Sequence, residues 1–383
     1  MPSQYDENRI TDIHQNDIIE FRKRMAPLLK KYPCYDTDFA LLRWLKGCKF
    51  DQEMAEQKMK WSLNAMNAIG VFEKDLSSIE KIEEILEAII PLNEYFPNGI
   101  LGYDKNGYLL LIYNIGKTHP RSLISAERMS RFYINAIHGY EGMQCLIRSE
   151  EAKRGCKLGT VIIADLNDFK YDVVFHLPAV KIYITGARIL QDMFPDMTVK
   201  FYIVNAPVTA QYLVRMVVAG IAKETMNMIE FLGSNYKEIL IERHGAKFLP
   251  KKYGGVLDDY IFRRGGEVPK HIVEMNKKHI PEKKLKKIIV NARNEEVVSI
   301  NVEKPNSKLS WYFICSSGDI DFCVLFEGNE VWPCFRICTE FRAEYNEIMC
   351  KEAGIYQLLF SNKHGYMRSK RIQYHVDIVE PLA

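Results

Sequence analysis

The chain has 383 residues, of which 47% are hydrophobic and 26% charged, and its net charge is +3. This length predicts two or three domains, and the apolar fraction excludes a wholly disordered chain because each domain can bury a core. The near balance of 52 basic and 49 acidic residues argues against a protein that coats nucleic acid.

The first residues and the cysteines bear on the cellular compartment. Residues 1–19 are polar and lack the apolar stretch of a secretory signal. The most apolar window, 212–222, is too short to span a membrane and contains Arg215. Nine cysteines are an odd number without a repeated CxxC spacing. These features predict a protein of the reducing cytosol whose cysteines are mostly small buried side chains.

The N-terminal part predicts a small helical unit. Residues 36–72 contain leucines that share one helical face, followed by Asp51 as the N-cap of a second helix. A further amphipathic helix is predicted to start at Ser77, because Ser77 and Glu80 have capping-box spacing, and to end before Pro91.

From about residue 100, short apolar runs alternate with longer helical patterns. Such alternation predicts a βαβ domain with a mainly parallel sheet covered on both faces. The strand-like runs are 108–113, 160–165 and 200–204. The helical patterns are 125–147, 173–194, 208–231 and 235–243.

A basic band follows this domain. Residues 263–288 hold nine Lys or Arg and three Glu, a net charge of +6, which leaves −3 for the rest of the chain. Two interpretations stay open, a solvated linker with charged helical turns and a contact with an anionic membrane surface.

The C-terminal part shows the alternation of strands with one buried face. Residues 320–326 and 372–378 alternate apolar and polar side chains, and a turn-rich SSGD precedes the first of them. Residues 285–380 are therefore expected to form an antiparallel β-sandwich.

Motifs for catalysis are scarce. Gly116-Lys-Thr lacks the earlier glycine of a phosphate loop, and neither a nucleophile elbow nor a dinucleotide fingerprint is present. Asp165 and Asp168 follow a strand where active sites often lie, although capping of the next segment is the simpler role. Asp319 and Asp321 resemble a metal-binding pair, but a solvated hairpin explains them. We therefore predict a non-enzymatic protein without a metal or cofactor.

One apolar segment stands out. Residues 212–222 are apolar nearly all around a helix, which fits either full burial or a lid over an apolar cavity that meets a membrane. Five methionines lie nearby, and such flexible side chains suit either an adaptable apolar surface or core filling. They are Met193, Met197, Met216, Met226 and Met228.

Several motifs together resemble a known family. The run LLRWLKGCKFD at 41–51 resembles the N-terminal helical signature of CRAL-TRIO lipid-binding and lipid-transfer proteins. Four later runs resemble the successive landmarks of that family's lipid-binding domain, in the same order. They are GYDKNGY at 102–108, FYIVNAP at 201–207, FLG at 231–233 and LPKKYGG at 249–255. The C-terminal LSWYF at 309–313, DIDF at 319–322 and GIYQLLFSNK at 354–363 resemble a GOLD domain.

The resemblance implies a sheet that floors a deep apolar cavity for one lipid, closed by a movable helix near 211–222. The lipid site is expected to include floor residues on two strands together with flanking positions. These residues are Thr160, Ile162, Ala164, Asp196, Phe201, Ile203, Met216 and Met228. The residues expected to contact the membrane on the lid are Leu213, Val214, Val217, Val218 and Ile221.

The chain departs from the phosphatidylinositol-transfer branch at the head-group positions. Asp196 keeps an acidic residue, but Met228 stands where that branch has a lysine. Two further positions carry hydroxyl groups that contact choline lipid in that branch. Thr160 keeps its hydroxyl, whereas Ile162 has none. Loss of the cation removes a partner for an inositol phosphate, so a more apolar ligand is expected.

The sequence thus predicts an α/β lipid-binding domain with a mainly parallel sheet flooring an apolar cavity, preceded by a helical unit and followed by an antiparallel β-sandwich. The expected domains are 1–75, 76–262, a basic linker at 263–284 and a GOLD-like domain at 285–383. We expect a cytoplasmic protein, reversibly associated with membranes, that takes up one phospholipid or isoprenoid-like lipid and transfers or presents it. The alternative is a lipid-regulated adaptor whose GOLD-like domain recruits a trafficking or signalling partner.

Overall fold

The computed structural model describes residues 12–170, 176–208, 210–211, 215, 227–258, 263–275 and 277–381. The chain divides into two compact units. The first consists of Met1–Leu63, Glu73–Pro120 and Ala136–Glu267, and the second of Asn64–Phe72, Arg121–Asn135 and Val268–Ala383. In the described ranges, no helix is long and apolar enough to cross a membrane.

Side chains cap the free N–H groups at the start of three of the first four helices. These four helices are α1 (Asp12–Lys31), α2 (Asp38–Gly47), α3 (Gln52–Ala68) and α4 (Ile79–Ile89). Asp51 accepts a hydrogen bond from the Met54 N–H at 2.9 Å, as its capping role requires. The cap of α4 is Ser78, which accepts from the Lys81 N–H at 3.4 Å, and not Ser77 as the capping-box spacing predicts. Helix α1 is not among the helices predicted from the sequence.

A buried ion pair links α2 to the part of helix α6 (Met129–Arg154) that belongs to the same unit, from residue 136 onwards. The Arg43 side chain is 4% exposed and donates to both carboxylate oxygens of Glu151, at 3.2 and 2.5 Å. It also donates to the Leu158 carbonyl at 2.5 Å, while the Leu158 N–H donates to Glu151 at 2.7 Å. Each charge is therefore paired away from water, which is the condition for tolerating buried ions.

The sheet of the first unit has the order β1-β2-β3-β4-β5. Its strands are β1 (Asn98–Tyr103), β2 (Leu109–Tyr113), β3 (Thr160–Asp165), β4 (Thr198–Val204) and β5 (Ile229–Phe231). Only β1 pairs antiparallel; β2 to β5 are parallel. The mainly parallel sheet and its three central strands confirm the prediction. Assignment of 229–231 to a helix is wrong, and β1 is not predicted.

Further helices accompany the strands. They are α5 (Pro120–Ala126), α6, α7 (Leu177–Met193), α8 (Tyr236–His244) and α9 (Lys270–Met275). All six residues of β3 are buried, as expected for a strand covered on both faces.

The C-terminal strands of the second unit form two antiparallel sheets, of order β10-β9-β12-β7 and β11-β8-β13-β6. The strands are β6 (Lys286–Val290), β7 (Glu295–Val302), β8 (Ser307–Cys315), β9 (Asp319–Phe326), β10 (Asn329–Cys338), β11 (Glu344–Cys350), β12 (Gly354–Ser361) and β13 (Lys370–Val379). Aromatic rings join the sheets: Phe313 of β8 lies 4.8 Å from Phe322 of β9 and 5.2 Å from Phe360 of β12, between ring centroids. This interdigitation makes a sandwich, and its antiparallel sheets confirm the prediction.

Glu344 of β11 caps the N-terminus of α6 within the second unit. Its carboxylate accepts from the Ser130 hydroxyl at 2.5 Å and from the Ser130 N–H at 3.2 Å. The residue is 1% exposed. Burial outweighs these bonds and the nearby Arg128 charge, and raises the pKa of Glu344 to about 7.

The raised pKa predicts a pH-dependent stability. Because folding disfavours the charged carboxylate, the free energy of unfolding should fall as the pH rises from about 4.5 to about 7. The fall should exceed that of Glu344→Gln by on the order of 3 kcal/mol, measured by urea denaturation at each pH. Glu347→Gln, at an exposed position of the same strand, should follow the wild type. Parallel curves for the wild type and Glu344→Gln would contradict the expectation.

Candidate functional site

Two rows of apolar and aromatic side chains share one face of the first unit's sheet. Parallel strands in register place paired residues on the same face, and every second residue returns to it. One row is Leu111, Ile162, Phe201 and Ile229. The row nearer the carboxyl ends of the parallel strands is Tyr113, Ala164, Ile203 and Phe231.

The second row carries an apolar cluster. Ala164 and Ile203 are buried together with Leu166 and Ala210. Phe201, Ile229 and Phe231 pack against this cluster and are only half-buried. Three predicted floor residues, Ala164, Phe201 and Ile203, are thus brought together, and Ile162 is the register partner of Phe201.

Three tyrosines combine exposure with desolvation. Tyr183 on α7 is 46% exposed, yet burial raises the pKa of its hydroxyl to about 12. Tyr113 and Tyr140 are half-buried, their hydroxyls hydrogen-bond to each other, and burial raises the pKa of both. A side chain open to bulk water would not be desolvated in this way. Protein atoms therefore crowd these hydroxyls more than the exposed fraction of each side chain indicates.

Asp165 is held in a polar network at the end of β3. Its carboxylate accepts from Asn205 at 2.8 Å and from the Tyr253 hydroxyl at 2.9 Å, and it pairs with Lys252 at 2.5 Å. Burial by itself would raise the pKa of Asp165, but the hydrogen bonds from Asn205 and Lys252 outweigh it and lower the pKa. The carboxylate also accepts from the Asn167 N–H at 2.9 Å, so it caps the turn after β3, in line with the capping role predicted from the sequence, and ties loops to the sheet.

The head-group positions lie apart from the apolar cluster. Thr160 is buried at the start of β3, where its hydroxyl donates to Thr198 at 3.2 Å. Asp196 precedes β4 and pairs with buried Lys157 at 2.9 Å. Met228 is half-buried directly before β5. The structure thus does not bring Thr160 and Asp196 to the carboxyl-terminal row, and their role as ligand contacts stays a prediction.

The remaining predicted residues are those of the lid and the methionines near it. Met216 and the lid residues Leu213, Val214, Val217, Val218 and Ile221 lie outside the described residues. Met193 and Met197 are buried at 1% and 3% exposure, which favours core filling for these two.

The Asp319 and Asp321 pair faces a histidine and not a metal cage. The two ring nitrogens of His364 lie 3.2 Å from Asp319 and 3.1 Å from Asp321, one on each carboxylate. Arg336 also donates to Asp321, at 2.9 Å. Among the described residues, no group of three or more His, Cys, Asp or Glu side chains is placed to hold a metal ion.

Comparison with known proteins matches the sheet and its flanking helices to a family. Residues 93–255 match the model of the CRAL/TRIO domain. This segment is a CRAL/TRIO domain. It contains all five strands of the first sheet, the apolar cluster and Asp165.

Two relatives show how far the similarity extends beyond this domain. The chain is 27% identical over 242 residues to the phosphatidylinositol/phosphatidylcholine transfer protein SFH9 of Arabidopsis thaliana, covering 61% of this chain but only 40% of the plant protein. It is 24% identical over 401 residues to the CRAL-TRIO domain-containing protein C34C12.6 of Caenorhabditis elegans, covering 97% of each. The domain match and these relatives confirm the prediction of a non-enzymatic protein.

Among solved structures, Sfh5 shares 13% sequence identity at a TM-score of 0.46, covering 68% of this chain and 92% of that chain.

The tyrosines of the CRAL/TRIO domain are not among the residues predicted from the sequence. Tyr113 closes an otherwise aliphatic strand, and Tyr183 interrupts an apolar helical face, so both break a pattern in the sequence. Their pairing and partial exposure depend on residues far along the chain, which no local pattern contains.

Proposed function

We propose that the CRAL/TRIO domain binds one lipid against the apolar face of its sheet, and that the chain transfers or presents this lipid at membranes. The observation that carries the proposal is the half-buried apolar surface of Phe201, Ile229 and Phe231 beside a buried cluster. Burial of acyl or isoprenoid chains contributes about 0.8 kcal/mol per CH₂ group, so such a surface supplies affinity without charged contacts.

The ligand class follows from the charges near this face. Met228 replaces the cation that would pair with an inositol phosphate, Asp196 is bound to Lys157, and the Thr160 hydroxyl already has a protein partner. Among the residues of the two rows, Tyr113 carries the polar side-chain group. We therefore favour a ligand with long apolar chains and a small or neutral polar group. We also propose that the protein is cytoplasmic and associates reversibly with membranes.

The finer identity of the sandwich is also part of the proposal. The motifs that resemble a GOLD domain lie on β8, β9 and β12, which are interior strands of the two sheets. This placement supports a GOLD-like domain.

The proposal is tested on the full chain purified without detergent. Native mass spectrometry should show one lipid per chain, and extraction should identify it. Vesicle-to-vesicle exchange of fluorescent phosphatidylcholine, phosphatidylinositol and an isoprenoid alcohol should then be accelerated for the class found. A protein that is empty and takes up none of these lipids would refute the proposal.

A further inference from the structure

The connection between β12 and β13, residues 362–369, presents two apolar side chains to solvent. We name it the β12–β13 tip. Met367 is 91% exposed and Tyr366 is 79% exposed, the highest values for large apolar side chains in the described part of the chain. Adjacent residues exposed to this degree mark an interaction site more often than scattered ones do.

The base of the tip is fixed by hydrogen bonds. Asn362 is fully buried, and its side-chain amide donates to the carbonyls of Val290, Asn291 and Arg368, at 3.3, 3.2 and 2.9 Å. The Arg293 N–H donates to the carbonyls of Asn362 and Gly365, at 3.1 and 3.0 Å. Because the backbone is held at both ends, Tyr366 and Met367 are presented on a preformed support, and little ordering is needed on binding.

Several cations lie in the tip or in the connections beside it. Exposed Arg293, Lys363 and Arg368 lie in the tip or the adjoining β6–β7 connection, and the guanidinium of Arg293 is 5.3 Å from the Tyr366 ring centroid. Lys370 donates to the Ser317 carbonyl at 2.9 Å, which places a fourth cation beside the β8–β9 connection.

The acidic groups near the tip are already paired. The connections 291–294, 316–318 and 362–369 contain no Asp or Glu. The carboxylates at their base are Glu295, which pairs with Lys363 at 2.6 Å, and Asp319 and Asp321, which face His364. Because the pair with Glu295 also neutralises Lys363, the cationic character around Tyr366 and Met367 rests on Arg293, Arg368 and Lys370.

We propose that the β12–β13 tip docks the protein on an anionic membrane surface. Tyrosine suits the boundary between head groups and acyl chains because its ring is apolar and its hydroxyl polar. Methionine enters the apolar layer beside it, while the arginines and lysines stay at the anionic head groups. Two adjacent side chains with this exposure suit insertion into a deformable bilayer, whereas anchor residues at protein interfaces are typically fully desolvated in pockets. The tip belongs to the second unit and the proposed lipid site to the first, and the docking proposal does not depend on the lipid site.

The test is co-sedimentation of the full chain with vesicles of phosphatidylcholine, with and without phosphatidylserine. The wild type should prefer the anionic vesicles, and Tyr366→Ser with Met367→Ser should weaken that binding about tenfold or more. The matched control is Met349→Ser with Ile355→Ser, which removes two side chains of 55% and 59% exposure elsewhere on the sandwich and should bind like the wild type.

A second pair of variants separates the tip from the basic band. Arg293→Gln with Arg368→Gln should weaken anionic binding and flatten its salt dependence. Lys283→Gln with Lys284→Gln should leave it unchanged, because β6 separates the band from the tip by about 14 Å of extended strand. Lipid content by native mass spectrometry should be the same in all variants, so failure of the lipid site would be recognised independently.

Three results would overturn the docking proposal. They are wild-type protein that does not prefer anionic vesicles, tip variants that bind as the wild type does, and control variants that lose as much binding as the tip variants. A tip that binds a protein partner while the wild type does not prefer anionic vesicles would also overturn the proposal.

Discussion

Tyr183→Glu is expected to abolish retention of the co-purified lipid while leaving the protein folded. The wild-type side chain is 46% exposed, so a polar replacement does not enter a closed core. The raised pKa of Tyr183 shows, however, that its surroundings disfavour charge. If the lipid passes this helix, a carboxylate there would hold water and oppose the entry of an apolar chain, and we expect occupancy to fall at least about tenfold.

The matched control is Gln191→Glu, which adds the same charge at an exposed position of the same helix. Native mass spectrometry gives the lipid occupancy of both variants, and circular dichroism reports their folding. Equal occupancy in Tyr183→Glu, Gln191→Glu and the wild type would show that Tyr183 faces bulk solvent and not the ligand.

Arg43→Ala should lower the free energy of unfolding of the first unit by about 3–5 kcal/mol. The substitution leaves the Glu151 carboxylate buried with the Leu158 N–H as its remaining donor among the contacts described above, and it removes the donor to the Leu158 carbonyl. Urea denaturation followed by tryptophan fluorescence measures the loss.

Two further variants identify the origin of this loss. Arg22→Ala breaks exposed ion pairs with Asp36 and Asp38 and should cost less than about 1 kcal/mol. Replacing both Arg43 by Met and Glu151 by Leu should recover most of the stability, because no unpaired buried charge remains. A loss below that of Arg22→Ala would show that the buried pair does not stabilise the contact between α2 and α6.

The sequence predicts an element well where a local pattern of side chains reports which of its faces are covered. β3 is apolar along its whole length because both of its faces are covered, and Asp51 caps α3 through a contact only three residues away. The antiparallel strand β13 was visible because alternate residues face the core. β1 was not visible, since all of its residues are half-buried and it contains two glycines. β5 has three residues, too few to establish a period of two.

The amino-acid sequence by itself determined the class of fold, because the hydrophobic period of a strand or helix is a local property that reports which faces are covered. Only the tertiary structure decided what Asp165 does, since its partners Asn205 and Tyr253 lie 40 and 88 residues away. It likewise decided that Tyr113 and Tyr140 form a pair and that Tyr366 and Met367 stand among cations from two connections. Desolvation and charge complementarity depend on which residues lie close together in space, and tertiary packing determines which residues these are.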